Sequence, residues 1–244
     1  MCGIAGVIGK IDTDELELLL LSLQRRGSDA TGVAITGGDG FQVIKAGMPA
    51  DLFVENKTFH SEINRATKTA RVALLHTRQA THGDPQLNYN NHPISTERSI
   101  IIHNGVVGLD EEFDSIGDTD TEQLLRAIDK YGMRKAISKT LGMLAIAYQD
   151  FNNPDDVYLY RHNEPLVYGS KDGNIYFCST GEILRDAIGE IKCIMLPKNT
   201  IYKISRQRFT VQKVAEVKPK VKWYAESWDM VLDDYYGGYG AFYF

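Results

Sequence analysis

The chain opens Met1-Cys2-Gly3-Ile4-Ala5-Gly6-Val7-Ile8-Gly9. From Gly3 onward the stretch is short, apolar and punctuated by glycine. It reads as a buried strand, a rigid mount for whatever stands in front of it. What stands in front is a cysteine, and by itself a cysteine at position 2 reads as an ordinary small buried residue. If Met1 is removed, however, one residue carries both a thiol and a free α-amine. A free amine titrates near about 7.7–8.0 and a free thiol near about 8.5. The amine can then take the thiol proton near neutral pH, directly or through one water, so nucleophile and base come from the same chain end.

Working outward, Asp12 with Glu15 three residues on resembles a capping box. The helix it starts carries Leu16, Leu18, Leu19, Leu20, Leu21 and Leu23, apolar nearly all round, which predicts burial between layers. It stops at Arg25-Arg26-Gly27. Residues 31–36 and 41–45 are strands around a Gly37-Gly38-Asp39-Gly40 turn. A helix is expected around 59–68. The apolar strand 72–75 runs into a polar cluster, 76–83, and then a loop with Asn88, Asn90, Asn91, His92 and Pro93. A buried strand at 99–102 ends in His103-Asn104-Gly105. A second capping box, Thr119 to Glu122, starts a helix that ends near Gly132, and a short helix reaches about Leu141. Strands follow at 143–148, 157–160, 166–168 and 175–178, and a short helix at 181–187. Edge strands are expected at 191–196, 200–204 and 208–214. Many hairpins with few helices predict an α+β fold of mostly antiparallel sheets with helices on the outer faces.

Composition narrows the possibilities. Of 244 residues, 43% are hydrophobic and 24% charged, ordinary values for a globular protein. Lys plus Arg number 27 and Asp plus Glu 32, a net charge of −5 with no basic block. Nucleic-acid binding through phosphate neutralisation is therefore not expected. No apolar run approaches the roughly 20 residues of a membrane span, and the N-terminal residues lack the basic start and apolar core expected of a signal peptide. Three widely spaced cysteines, Cys2, Cys178 and Cys193, argue against a disulfide framework and fit a cytoplasmic setting. The spacing of His76, His82, His92 and His103 matches no compact metal signature, so neither a metal nor another cofactor is expected.

Polar groups at the ends of buried strands can converge on a pocket. Acyl transfer from a small amino-acid amide needs a nucleophile, donors for the oxyanion, and charges for both ends of the substrate. Cys2 can be the nucleophile. The Asn104 side-chain amide and the Gly105 backbone N–H can hold the oxyanion. Arg78 can grip an α-carboxylate with its fork, and Asp120 can accept from an α-ammonium. Taken singly, each has an ordinary reading: Arg78 as a surface ion pair, Asn104-Gly105 as a turn, Asp120 as a first-turn helix residue.

Taken together, the segments resemble the glutaminase domain of the class II glutamine amidotransferases, a branch of the N-terminal nucleophile hydrolases. MCGIAGVIG resembles that family's start, from which the initiator Met is removed. Arg26-Gly27-Ser28-Asp29 with Thr31-Gly32 resembles its RG-x-D-x-x-G segment. HTRQATHG at 76–83 resembles the HTRWATHG of one member, glucosamine-6-phosphate synthase. Asn90-Asn91-His92-Pro93 resembles N-x-H-P, residues 103–105 are the same HNG tripeptide, and DTDTE at 118–122 resembles TDTE. The match covers about residues 2–205. The resemblance implies a four-layer αββα fold and hydrolysis of the glutamine side-chain amide through a Cys2 thioester. Asn104 and Gly105 would serve the oxyanion, and Arg78 and Asp120 the two ends of glutamine. Thr81, His82 and His92 would line the site, and Arg26 would support the loop that closes it. Two departures stand out. Gln79 occupies the place of that synthase's Trp, a position associated with gating ammonia. Residues 216–244 form an aromatic, acidic tail, where family members usually continue into a synthase domain. The expectation is a glutaminase domain over 1–215 that feeds ammonia to a separate synthase partner, with 216–244 as a possible docking segment. The alternatives are a hydrolase of another γ-glutamyl amide, or a non-catalytic assembly or regulatory subunit that keeps the fold.

Overall fold

A computed structural model describes residues 1–37, 40–81, 83–110 and 117–220. In chain order the elements are β1 (Gly3–Ile8), α1 (Thr13–Leu23), β2 (Ala30–Gly37), β3 (Gly40–Ala46), α2 (Ala50–Glu55), α3 (Lys57–Ala66), β4 (Ala70–Arg78), β5 (Ile94–Ser95) and β6 (Ser99–Leu109). They continue with α4 (Asp120–Tyr131), α5 (Met133–Ser138), β7 (Thr140–Asp150), β8 (Asp156–Arg161), β9 (Val167–Lys171) and β10 (Asn174–Cys178). Last come α6 (Gly181–Ile188), β11 (Ile194–Met195), β12 (Thr200–Ser205) and β13 (Thr210–Glu216).

The strands form two sheets, ordered β11-β9-β10-β1-β4-β2-β3 and β13-β12-β8-β7-β6-β5. Side chains alternate between the faces of a strand, and the alternation sorts the core into three slabs. On β1 and β4, Ala5, Val7, Ala73 and Leu75 pack outward against α1, α2, α3 and α6. From the same strands Ile4, Ile8, Val72 and Leu74 face inward, against Ile100, Ile102, Ala145 and Leu159 of the other sheet. The far side of that second sheet is covered by Leu124, Leu125 and Ile128 of α4 and by Ala136 and Ile137 of α5. Helices, sheet, sheet, helices: the arrangement is the four-layer αββα sandwich.

β1 lies between β4 and β10 in the middle of its sheet, with Ile4 opposite His76 and Ala5 opposite Cys178. Its glycines are needed there. A Cβ at Gly6 would sit 2.3 Å from the Phe177 ring, and one at Gly3 would sit 2.6 Å from Leu23 Cγ.

Several sequence expectations need correction. α1 buries Leu16, Leu19, Leu20 and Leu23 but leaves Leu18 and Leu21 exposed, so it is an outer-layer helix with one buried face. Asp12 caps it, accepting from Asp14 N and Glu15 N. Glu15 does not reach back; its carboxylate accepts from the Tyr176 hydroxyl, 3.0 Å away. β12 is interior, flanked by β8 and β13. α2 is an additional helix ahead of the one expected around 59–68; Pro49 stands at its N-cap and Phe53 and Val54 are buried. The largest revision concerns β4 and β6. They do not stop at 75 and 102 but run on through the polar clusters to Arg78 and Leu109. Beyond β13, the Tyr160 hydroxyl donates to Val217 O, and Lys220 N donates to Thr140 O. The tail from 221 and the turn residues 38–39 lie outside the described residues.

Candidate active site

Because β4 and β6 stay regular, parity decides where their polar groups point. His76 and Arg78 continue the inward series of Val72 and Leu74. Asn104 continues the inward series of Ile100 and Ile102 from the opposite sheet. Cys2 precedes β1 with the parity of Ile4. The two candidates, Cys2 for the nucleophile and Asn104 for an oxyanion donor, therefore point into the gap between the sheets from opposite sides.

Cys2 is partly buried, its Sγ 3.6 Å from the carbonyl of Gln79. Burial pushes its thiol up. The Gln79 contact, the chain's terminal ammonium and Arg78 oppose that rise, while Asp120 adds to it. Arg26 follows α1 in a single 3₁₀ turn and donates from Nε to Cys2 O at 2.8 Å. Its Nη2 lies 3.8 Å from Met1 Sδ and 3.8 Å from the Glu164 carboxylate. The next residue must be small, since a Cβ at Gly27 would meet the Arg78 carbonyl carbon at 2.4 Å. Asp29 then accepts from Ala80 N at 2.7 Å and from Gln79 Nε2 at 3.0 Å, which shapes the loop beside the thiol. The Arg26 to Asp29 segment is thus a brace for residues 78–80.

Asn104 is 1% exposed, and its Nδ2 donates to Glu164 Oε2 at 2.5 Å. Gly105 has φ +134°, and a Cβ there would stand 2.0 Å from Met143 O. No other residue fits that strand position. Arg78, also buried, directs Nη1 to Asn91 Oδ1 at 2.8 Å and Nη2 to Gly83 O at 3.1 Å. Asp120 opens α4. Its Oδ2 accepts from Val107 N at 3.1 Å and its Oδ1 from Thr121 N at 2.7 Å, which pins the carboxylate between α4 and β6.

Behind these groups lie three buried imidazoles. The His76 and His92 rings are 4.2 Å apart and the His92 and His103 rings 6.4 Å. His103 Nδ1 is 2.9 Å from Thr121 Oγ1, and His76 Nε2 is 3.1 Å from His103 O. Burial holds all three in the neutral form: His76 is lowered to about 3, His92 falls well below its ordinary value, and His103 is lowered. Lys45 reaches in from β3 to donate to Asn91 O and Pro93 O, and burial lowers it to about 8. Among the described residues, no cluster of His, Cys, Asp and Glu is arranged to hold a metal ion.

The residues singled out from sequence fall into three groups. Cys2, Arg26, Arg78, Asn104, Gly105 and Asp120 come together at the strand ends that open the inter-sheet gap, with His92 buried behind them among the imidazoles. Thr81 is exposed on the adjoining loop. His82 lies outside the described residues. Sequence reading gave no role to Asp29, Lys45, Asn91, Arg161 or Glu164. The hint for the last two was a polar turn, His162-Asn163-Glu164-Pro165, directly after a buried strand.

No family model matches the chain. Among curated relatives, glutamine–fructose-6-phosphate aminotransferase [isomerizing] from Bacillus subtilis (strain 168) is 33% identical over 192 residues, 70% of this chain and 31% of the relative. The enzyme of that name from Streptococcus pneumoniae is 33% identical over 204 residues, 73% of this chain and 32% of its own length. The chain thus spans under a third of the relatives it matches. Among solved structures, glutamine phosphoribosylpyrophosphate amidotransferase from B. subtilis superposes with a TM-score of 0.69 at 17% identity, over 90% of this chain and 51% of that one. A glutamine aminotransferase class-II domain protein from Silicibacter pomeroyi gives 0.55 at 17% identity, over 89% and 100%. Sequence relatives and sandwich agree: the chain is homologous to the glutaminase domain of the glutamine–fructose-6-phosphate aminotransferases and shares its fold with solved class II glutamine amidotransferases.

Proposed function

We propose that this chain hydrolyses the side-chain amide of L-glutamine, with Cys2 as the nucleophile once Met1 is removed. The freed α-amine takes the thiol proton and the sulfur attacks the carboxamide carbon. The resulting oxyanion sits between the Asn104 amide and the Gly105 N–H, donors already fixed before reaction. The amine returns its proton to the departing nitrogen, ammonia leaves, and a γ-glutamyl thioester remains. Water attacks that thioester, the same amine accepting its proton, and glutamate is released with the thiol restored. Arg78 holds the substrate carboxylate and Asp120 its ammonium. Thr81, His82 and His92 line the pocket, and Arg26 steadies Cys2. The observation that carries the reading is that two oppositely charged side chains, Arg78 on the inward series of β4 and Asp120 pinned against β6, are held by hydrogen bonds at the strand ends beside Cys2. They are what the two ends of a free amino acid require.

The relatives are named for a transfer from glutamine to fructose 6-phosphate. We assign to this chain the donor half, within a glutaminase domain of residues 1–215. The ammonia goes to a separate synthase partner that docks on residues 216–244, in a reducing, cytoplasmic setting that fits three unpaired cysteines. Intact mass spectrometry before and after a glutamine-analogue electrophile, with glutamate release from L-glutamine, tests the chemistry. Loss of Met1 and one adduct on Cys2 support it, and retained Met1 with no adduct counts against it. Deleting 221–244 tests the docking role, and unchanged partner capture would reject it.

A further inference from the structure

We infer that Glu164 is a positioning residue that sets which end of the Asn104 amide faces the reacting carbonyl; the inference rests on the glutaminase reading above. An asparagine amide can turn over at little steric cost, since its oxygen and nitrogen are nearly the same size. In an oxyanion hole the two orientations are opposite in effect: nitrogen donates to the developing charge and oxygen repels it. Glu164 breaks the tie. It stands in the connection between β8 and β9, 7% exposed, and its Oε2 takes the Asn104 Nδ2 hydrogen at 2.5 Å. A carboxylate beside a guanidinium only accepts, so it tolerates the NH₂ end of Asn104 and excludes the carbonyl end. The second Nδ2 hydrogen is left for the substrate.

The connection holds Glu164 in place by its backbone. Arg161, at the end of β8, donates from Nη1 to Glu164 O at 2.9 Å and from Nε to Leu196 O at 2.6 Å. Glu164 also ties the two halves of the site together. Its carboxylate is 3.8 Å from Arg26, which holds the Cys2 carbonyl. The nucleophile in front of one sheet and the oxyanion donor on the other are thus linked through one buried side chain.

Glu164→Gln keeps the size but offers a donor, so Asn104 can turn its oxygen inward. In the full chain lacking Met1, we expect kcat for L-glutamine to fall by about 10- to 100-fold with KM within about twofold, since a lost oxyanion donor costs about 10²–10³. In an Asn104→Ala background the same substitution should change kcat by less than about twofold. Glu164→Asp, which keeps the charge, should recover part of the rate, and it stands in if Glu164→Gln does not fold. The side-chain ¹⁵N–¹H signals of Asn104 should shift in Glu164→Gln. Unchanged kcat in Glu164→Gln, or an equal loss in both backgrounds, overturns the inference. A wild-type protein that releases no glutamate overturns the reading beneath it instead. In that event the Asn104 signals still decide whether Glu164 holds the amide, and no shift between wild type and Glu164→Gln rejects it.

Discussion

The space between the two sheets has two ends built by the same strands. At one end the inward positions of β4 and β6 are Leu74 and Ile102; at the other they are His76 and Asn104. All four are 0–1% exposed, so burial does not distinguish them. Chemistry does. The apolar end gains from leaving water, about 25 cal/mol per Å² of apolar surface. The polar end gives up solvation and must recover it through partners. Asn104 has Glu164, Arg78 has Asn91 and Gly83 O, and the imidazoles stay neutral. A fold seeking stability alone would continue the aliphatic series, so the polar end marks where the molecule gives up stability for chemistry.

Substitutions at either end should separate the two roles. The largest effect is expected from Cys2→Ala, which should lower glutamate release on the order of 10⁴-fold or more while leaving the melting temperature nearly unchanged. Asn104→Ala should reduce kcat by about 10²–10³ with a smaller effect on KM. At the apolar end, Leu74→Ala should cost about 2–5 kcal/mol in urea unfolding. The remaining folded molecules should keep their turnover rate. If turnover falls in proportion to stability, the two ends are not separable.

Acid should attack the polar end first. The folded-state values of His76, His92 and His103 lie below the unfolded value near about 6.5, so the unfolded chain binds more protons. Their share of stability is complete above about pH 6.5. For His76 it falls as pH drops toward about 3, by roughly 1 kcal/mol per pH unit, and His92 and His103 add to the slope in the same direction. Replacing His76 by Asn should flatten that slope in pH-dependent denaturation. The smallest effect belongs outside the gap. Arg25, which pairs with Glu182 and Asp186 on the surface, should cost under about 1 kcal/mol when replaced by Ala.

Much of this was legible from residues 2 to 122. The motif segments placed Cys2, Arg78, Asn104, Gly105 and Asp120 at strand or helix ends, and the structure gathers them. Less legible was how those ends are built. Histidine, arginine and asparagine after an apolar run signal a loop, so β4 and β6 were cut short. The alternation Val72, Leu74, His76, Arg78 was the overlooked cue, since a strand is recognised by period as well as by polarity. Leu18 and Leu21 misled in the other direction, as leucine count says nothing about which side of a helix meets the core. Glu164 was out of reach because its partners are 60 residues and more away in the chain. A turn carboxylate has no local pattern that announces a distant amide.

The hydrogen bond from Arg26 reaches Cys2 through its carbonyl, the one backbone group that excision of Met1 leaves untouched. Met1 itself is 70% exposed, within reach of a peptidase. Under the proposed chemistry, folding and arming are therefore separate events. On that proposal the untrimmed chain already holds Cys2 in place, and trimming a single residue would convert a finished scaffold into a working one without rebuilding it.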